Sequence, residues 1–222
     1  MLFRSLGVPL SIWQMEDSHE LGIFEAGISQ TAEMARLQAV IQPTIGLITN
    51  LGAAHAEGFS GNEQKLQEKM KLFSGVETMI YCKDQVEIDE LISSQPDFTV
   101  NKRLISWGRS SSSDIVVKNI EEKDSCSFFT ILINHKTYTF SIPFTDRIVQ
   151  ENSMHCFAAS FALGMQDNVL TRMMDLPSLS MRLEMKEGHH QSILINDSYN
   201  ADLTGVKSAI EDRKSTRLNS SH

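Results

Sequence analysis

The first hundred residues alternate between apolar runs of strand length and segments with helical spacing of apolar residues. No other feature of the sequence restricts the fold as strongly. Predicted strands cover residues 21–24, 45–48 and 78–82. Predicted helices cover residues 31–37, 62–73 and 85–93. Strands that alternate with helices favour a parallel sheet covered by helices on both faces, so we predict an α/β fold.

Polar residues follow two of these strands at the points where they end. The first strand leads into Glu25, and the second leads into Asn50 and His55. Open α/β sheets bind ligands at the carboxyl ends of their strands. Lys69 lies on the predicted helix 62–73 and could face the same crevice. The sequence therefore predicts a ligand site at this edge of the sheet.

In the middle of the chain the predicted pattern changes from alternating strands and helices to two consecutive strands. Residues 128–133 and 137–142 have strand composition and flank Asn134, His135 and Lys136, which is typical of a hairpin. We expect this hairpin to be an antiparallel extension of the sheet, followed by a helix.

A domain boundary is predicted near Pro177. Residues 151–163 form the predicted helix before it, rich in Ala and Phe. Residues 192–196 are a predicted strand, and residues 203–211 begin a predicted helix. Together they indicate the start of a second α/β unit.

Composition excludes several functional classes. The net charge of −8, with scattered lysines and arginines, argues against a nucleic-acid-binding surface. No run approaches the roughly 20 apolar residues of a membrane helix. The three cysteines are widely spaced and form no CxxC pair, which fits a reducing compartment, so we expect a cytoplasmic protein.

Several short motifs together resemble those of the Mur ligase family, the ATP-dependent enzymes that build the peptidoglycan stem peptide. Within it, they are most similar to the D-alanyl-D-alanine-adding branch. The motifs lie at residues 7–11, 25–27, 50–59, 69–73, 151–152, 182–184 and 196–201. The resemblance implies a P-loop-type central domain with a mostly parallel sheet and an antiparallel extension, plus the start of a Rossmann-like C-terminal domain.

The resemblance also implies a Mg²⁺ site made by Glu25, His55 and a carbamylated Lys69. A carbamate carries two oxygen acceptors, and Mg²⁺ prefers oxygen ligands. Carbamylation requires a neutral amine, which partial burial favours by lowering the lysine pKa. Each residue also has a structural alternative: Glu25 could be a surface carboxylate, His55 a loop histidine and Lys69 a solvated lysine. Lys71 is a rival for the carbamylated position, although its spacing to the following Phe73 does not match the family.

Four residues are implied to hold ATP: Asn50, Asn152, Arg182 and Asp197. The amide of Asn152 would recognise adenine, because an amide offers both a donor and an acceptor. The guanidinium of Arg182 would reach the γ-phosphate and, with His55 and Lys69, would take part in catalysis. Asp197 would contact the ribose or a metal-bound water. The alternative for Asn152 is a plain helix cap.

The implied domains are a central ATP-binding domain at residues 1–176 and the beginning of the C-terminal domain at residues 177–211. The chain contains no Gly-x-x-Gly-Lys-Ser/Thr phosphate loop. We expect that loop to precede this sequence, and we expect the chain alone to be inactive. Residues 212–222 resemble the translation of a sequencing adaptor, and we expect them to be an artefact.

The resemblance implies two partners, UDP-N-acetylmuramoyl-tripeptide and D-alanyl-D-alanine, joined at the expense of ATP with Mg²⁺. One alternative is a sister amide ligase, either another Mur enzyme or a folylpolyglutamate-type synthase. The other alternative is a non-catalytic homologue that acts only through interactions.

Overall fold

The computed structural model describes residues 3–28, 30–51, 59–177, 184–187 and 192–196. The chain divides into two compact units, and the division falls between Asp175 and Leu176. Each unit is described by itself.

A six-stranded sheet forms the centre of the first unit. Its strands are β1 Ile45–Ile48, β2 Thr78–Cys82, β3 Arg103–Gly108, β4 Ile115–Lys123, β5 Cys126–Ile133 and β6 Lys136–Ile142. The strands lie in sequence order, with β1 to β4 parallel and with β5 and β6 antiparallel. The predicted α/β class, a mostly parallel sheet with an antiparallel extension, is confirmed.

Helices cover both faces of this sheet. They are α1 Phe3–Trp13, α2 Glu33–Ile41, α3 Asn62–Met70, α4 Val86–Ser93, α5 Pro96–Thr99, α6 Arg147–Ala162 and α7 Gln166–Leu170. A 3₁₀ turn, Lys71–Phe73, continues α3. Within the described residues, no helix is long and apolar enough to cross a bilayer.

Alternate side chains of β2 belong to two separate cores. Ile80 and Cys82 pack in a cluster with Phe157 of α6, whereas Met79 and Tyr81 pack in a cluster with Leu66 of α3. All four β2 side chains are buried. Period-two alternation sends successive side chains to opposite faces, so a strand that is apolar on both faces must be covered twice.

The β5–β6 hairpin forms as predicted. Asn134 and His135 connect the strands with φ angles of 48° and 66°. A two-residue loop with both residues left-handed matches the right-handed twist of paired strands, and asparagine tolerates that conformation well.

Helix α6 begins earlier than predicted. Its N-cap is Asp146, whose carboxylate accepts a hydrogen bond from the backbone N–H of Val149 at 2.9 Å. Asn152 therefore lies in the second turn, and its interpretation as a helix cap is wrong.

Near the N-terminus one prediction is wrong, and another is confirmed with shifted bounds. Residues 21–28 contain neither helix nor strand, and Ile23 is 87% exposed. Among the described residues β1 pairs only with β2, so residues 21–24 have no ladder partner and the predicted strand does not form. The helix expected at 31–37 is α2, which starts at Glu33 after a left-handed Ala32.

In the second unit, β7 Glu184–Glu187 pairs antiparallel with β8 Ile193–Asn196. Strand β8 matches the strand predicted at 192–196. The helix predicted at 203–211 lies outside the described residues. The assignment of the units to central and C-terminal domains stays a prediction.

Candidate functional site

The carboxyl end of β1 is where side chains from several elements meet. The strand ends at Ile48, and the backbone carbonyls of Thr49 and Asn50 follow it. Lys69 Nζ donates to the carbonyl of Asn50 at 2.8 Å, and Gln85 Nε2 donates to the carbonyl of Thr49 at 2.6 Å. The structure thus joins α3 and the start of α4 to the strand end that the sequence selects as a ligand site.

Lys69 has the properties that carbamylation requires. Its side chain is half-buried in the last turn of α3. Burial, and then the neighbouring charge of Lys65, lower the pKa of Lys69 to about 8. At pH 7 roughly a tenth of such an amine is neutral, far more than for a solvated lysine.

Lys71, the rival for this role, has a different environment. Its side chain is 53% exposed and pairs with the buried carboxylate of Glu68. The Nζ of Lys71 is thus engaged by a carboxylate, whereas the Nζ of Lys69 contacts a neutral carbonyl. The surroundings of the two lysines therefore favour Lys69.

Asn152 is exposed on α6, beside a residue that is tied to the same strand end. Gln85 Nε2 donates a second hydrogen bond, at 2.7 Å, to Glu151 Oε1. Through Glu151 the turn that carries Asn152 is connected to the carbonyl of Thr49. Glu151 lies in the motif at residues 151–152 without an implied role, and Gln85, which closely follows the end of β2, lies in none of the motifs.

His155 packs below this turn. It is 3% exposed, and Trp107 Nε1 donates to His155 Nδ1 at 3.0 Å. The two rings meet edge to face at a centroid distance of 4.8 Å. Burial lowers the pKa of His155 to about 4, with a smaller opposite effect from the backbone of Thr49.

Acid is expected to destabilise the protein through His155. Its pKa is lower in the folded chain than its ordinary value of about 6.5, so the unfolded chain binds the proton first. Neutral His155 therefore contributes roughly 3 kcal/mol to the free energy of unfolding. This contribution is complete above pH 6.5 and is lost as the pH falls towards 4. We expect His155→Gln, which can still accept from Trp107, to remove this loss.

Urea unfolding at pH 7 and at pH 4.5 checks the expectation, because the carboxylates titrate equally in both proteins. An equal drop in unfolding free energy for wild type and His155→Gln would contradict it.

The other predicted site residues are not brought together within the described residues. Glu25 is exposed on the irregular segment 21–28. The predictions for His55, Arg182 and Asp197 lie outside the described residues. In the described ranges, no group of three or more His, Cys, Asp and Glu side chains is placed to hold a metal ion. The Glu25 carboxylate is a hard oxygen donor of the kind that Mg²⁺ prefers, and a carbamate on Lys69 would be another.

Comparison with known proteins finds similarity over most of the chain. The family model of the Mur ligase middle domain matches residues 2–160. The chain is 25% identical over 210 residues to the UDP-N-acetylmuramoyl-tripeptide–D-alanyl-D-alanine ligase of Bacillus subtilis, covering 93% of this chain and 44% of that protein.

Two solved structures share the fold. MurF from Acinetobacter baumannii matches with a TM-score of 0.77 at 20% identity, covering 93% of this chain and 45% of that one. The MurF ligase from Thermotoga maritima in complex with ADP matches with a TM-score of 0.65 at 18% identity, covering 82% and 42%. The chain thus spans less than half the length of each of these proteins.

Proposed function

Because the chain belongs to the Mur ligase family, we propose that the intact protein is an ATP-dependent amide ligase. It adds D-alanyl-D-alanine to UDP-N-acetylmuramoyl-tripeptide in the synthesis of peptidoglycan precursors. The name of the Bacillus subtilis relative supports this choice within the family. We assign residues 1–176 to the central domain and residues 177–211 to the beginning of the C-terminal domain.

The observation that carries this proposal is the position of Lys69. Its Nζ lies 2.8 Å from the carbonyl oxygen of Asn50, at the carboxyl end of a parallel strand, and burial lowers its pKa. The half-buried amine donates to one neutral carbonyl, whereas a carbamate at the same position would present two oxygen acceptors at the solvent-facing strand end.

In the proposed carbamylation, the neutral Nζ of Lys69 attacks the carbon of CO₂. A new N–C bond forms while one C–O π bond of CO₂ opens and its electron pair moves to oxygen, and one N–H proton leaves to solvent. Counting the proton lost earlier by the ammonium, two protons leave as the cation becomes an anion with two oxygen acceptors. Glu25, His55 and this carbamate would hold Mg²⁺, which neutralises negative charge on the phosphates when it is bound.

The reaction proceeds in two steps. The terminal carboxylate of the tripeptide attacks the γ-phosphorus of ATP, which gives an acyl phosphate and ADP. The amine of D-alanyl-D-alanine then attacks the acyl carbon, an amide bond forms, and inorganic phosphate leaves. In this scheme Asn152 holds adenine, Asp197 contacts the ribose, and Arg182 stabilises charge on the transferring phosphoryl group. We propose that the reaction takes place in the cytoplasm.

A panel of acceptors tests the assignment. The intact protein receives Mg²⁺, ATP and UDP-N-acetylmuramoyl-tripeptide, with D-alanyl-D-alanine, single amino acids or glutamate as acceptor, and phosphate release is measured. The proposal expects release with the dipeptide. Release only with a single amino acid or with a folate and glutamate would assign a sister ligase.

A non-catalytic homologue is the remaining alternative. It would show no heat of Mg-ATP binding in calorimetry on the same preparation, whereas a ligase binds the nucleotide.

A further inference from the structure

Gln85 occupies the N-cap position of α4 but does not cap that helix. Its backbone is extended, and its side chain makes no hydrogen bond to the first turn of α4. The amide points away, to Thr49 and Glu151, at 2.6 and 2.7 Å. A side-chain amide has two N–H donors, and both partners are oxygen acceptors, so the residue type matches its surroundings.

These two hydrogen bonds connect residues far apart in the sequence. Gln85 is 36 residues from Thr49 and 66 residues from Glu151. Each partner directly precedes a residue of the proposed site. Thr49 precedes Asn50, whose carbonyl holds Lys69, and Glu151 precedes Asn152.

The bond to Glu151 ends on a side-chain carboxylate oxygen of α6. The bond to Thr49 satisfies a carbonyl beyond the last residue of β1, where no strand hydrogen bond is available. Gln85 is itself half-buried, which limits competition from water. One side chain thus fixes the approach of α6 to the end of β1.

We propose that Gln85 is a positioning residue that sets the distance between the carboxyl end of β1 and the Asn152 turn of α6. It thereby holds the phosphate-facing and base-facing parts of the nucleotide site in register. This inference rests on the proposed function. Gln85 acts through its two partners and does not touch the reacting atoms.

The chemistry of the contact dictates the variants. Gln85→Leu keeps the size and removes both donors. Gln85→Glu keeps the length but replaces the amide donor with a carboxylate, which would face two oxygen acceptors, the Thr49 carbonyl and the Glu151 carboxylate. In the double variant Q85E/E151Q the amide is at position 151 and the carboxylate at position 85. The hydrogen bond between these two side chains can then form again, with donor and acceptor exchanged.

Gln95 offers a matched control. It is the N-cap residue of α5, is half-buried, and also makes no capping hydrogen bond. Gln95→Leu therefore repeats the chemical change at an equivalent helix position, away from β1.

The test measures steady-state kinetics of the intact ligase. We expect Gln85→Leu to lower kcat/KM for ATP on the order of tenfold to a hundredfold, since small displacements of a substrate-positioning group have effects of that size. KM for D-alanyl-D-alanine should stay within about twofold of wild type, because the acceptor does not bind at this contact. Gln85→Glu should be more impaired, and Q85E/E151Q should recover part of the loss.

Several outcomes would overturn the inference: unchanged ATP kinetics in Gln85→Leu, an equal loss in Gln95→Leu, or no recovery in Q85E/E151Q. If the wild-type protein itself shows no ligation, the proposed function fails. The positioning role of Gln85 is then tested independently by hydrogen exchange of the backbone amides of residues 49–51. Faster exchange in Gln85→Leu but not in Gln95→Leu supports its positioning role, and equal exchange rejects it.

Discussion

Replacing Lys69 with alanine is expected to lower the ligation rate of the intact protein by on the order of 10²–10³-fold, the usual effect of removing one group that stabilises transition-state charge. The variant loses the amine that would become a carbamate beside the Asn50 carbonyl. Lys69→Arg should be equally impaired, because a guanidinium keeps its charge and does not react with CO₂. Phosphate release with D-alanyl-D-alanine measures the effect.

Two controls separate this chemistry from simple damage. Lys102 also donates from Nζ to a backbone carbonyl, that of Ser74, at 2.8 Å, so Lys102→Ala removes the same kind of contact elsewhere. That variant should retain nearly full activity. Acetate should partly restore Lys69→Ala, because its carboxylate can replace the missing oxygens, and should not restore Lys69→Arg, whose side chain fills the space. Full activity in Lys69→Ala would refute its role.

Replacing Phe157 with alanine is expected to destabilise the first unit by about 3–5 kcal/mol, which is a large part of the stability of a typical domain. Phe157 on α6 is fully buried and stacks on Phe140 at a centroid distance of 5.5 Å. Phe140 in turn stacks on Phe129 at 4.5 Å. The truncation would leave a cavity between α6 and the antiparallel part of the sheet.

Urea unfolding followed by tryptophan fluorescence measures this loss. Trp107 lies in the same core, whereas Trp13 is 85% exposed and should respond little. Phe128→Ala is the matched control, since Phe128 is 44% exposed on β5 beside the buried Phe129. We expect that control to cost less than about 1 kcal/mol. Equal losses in the two variants would contradict the described packing.

Much of the fold was accessible from the sequence because its signals are local. The β5–β6 hairpin has a turn whose residues tolerate left-handed backbone. Helix α3 places Leu66 and Met70 on one buried face. Strand β4 was missed because its second half is largely exposed and carries lysine and glutamate. The segment 21–24 has strand composition, but a strand also needs a partner, and composition does not supply one.

The candidate site was predictable only in part, because some of its contacts join residues that are far apart in the sequence. The end of β1 and Lys69 follow from strand and helix patterns, and their contact spans 19 residues. Glu151 lies in the motif at residues 151–152, whereas Gln85 belongs to no motif. They meet because β2 lies beside β1 and because α6 returns across the sheet after the hairpin, which is a property of the folded chain.

The acyl-phosphate step can be tested by following an oxygen atom. The terminal carboxylate of UDP-N-acetylmuramoyl-tripeptide is labelled with heavy oxygen, and the phosphate released by the intact protein with ATP, Mg²⁺ and D-alanyl-D-alanine is analysed by mass spectrometry. An acyl-phosphate ligase transfers one labelled oxygen to phosphate for each amide bond formed. Unlabelled phosphate, or no phosphate dependent on the dipeptide, would contradict the account.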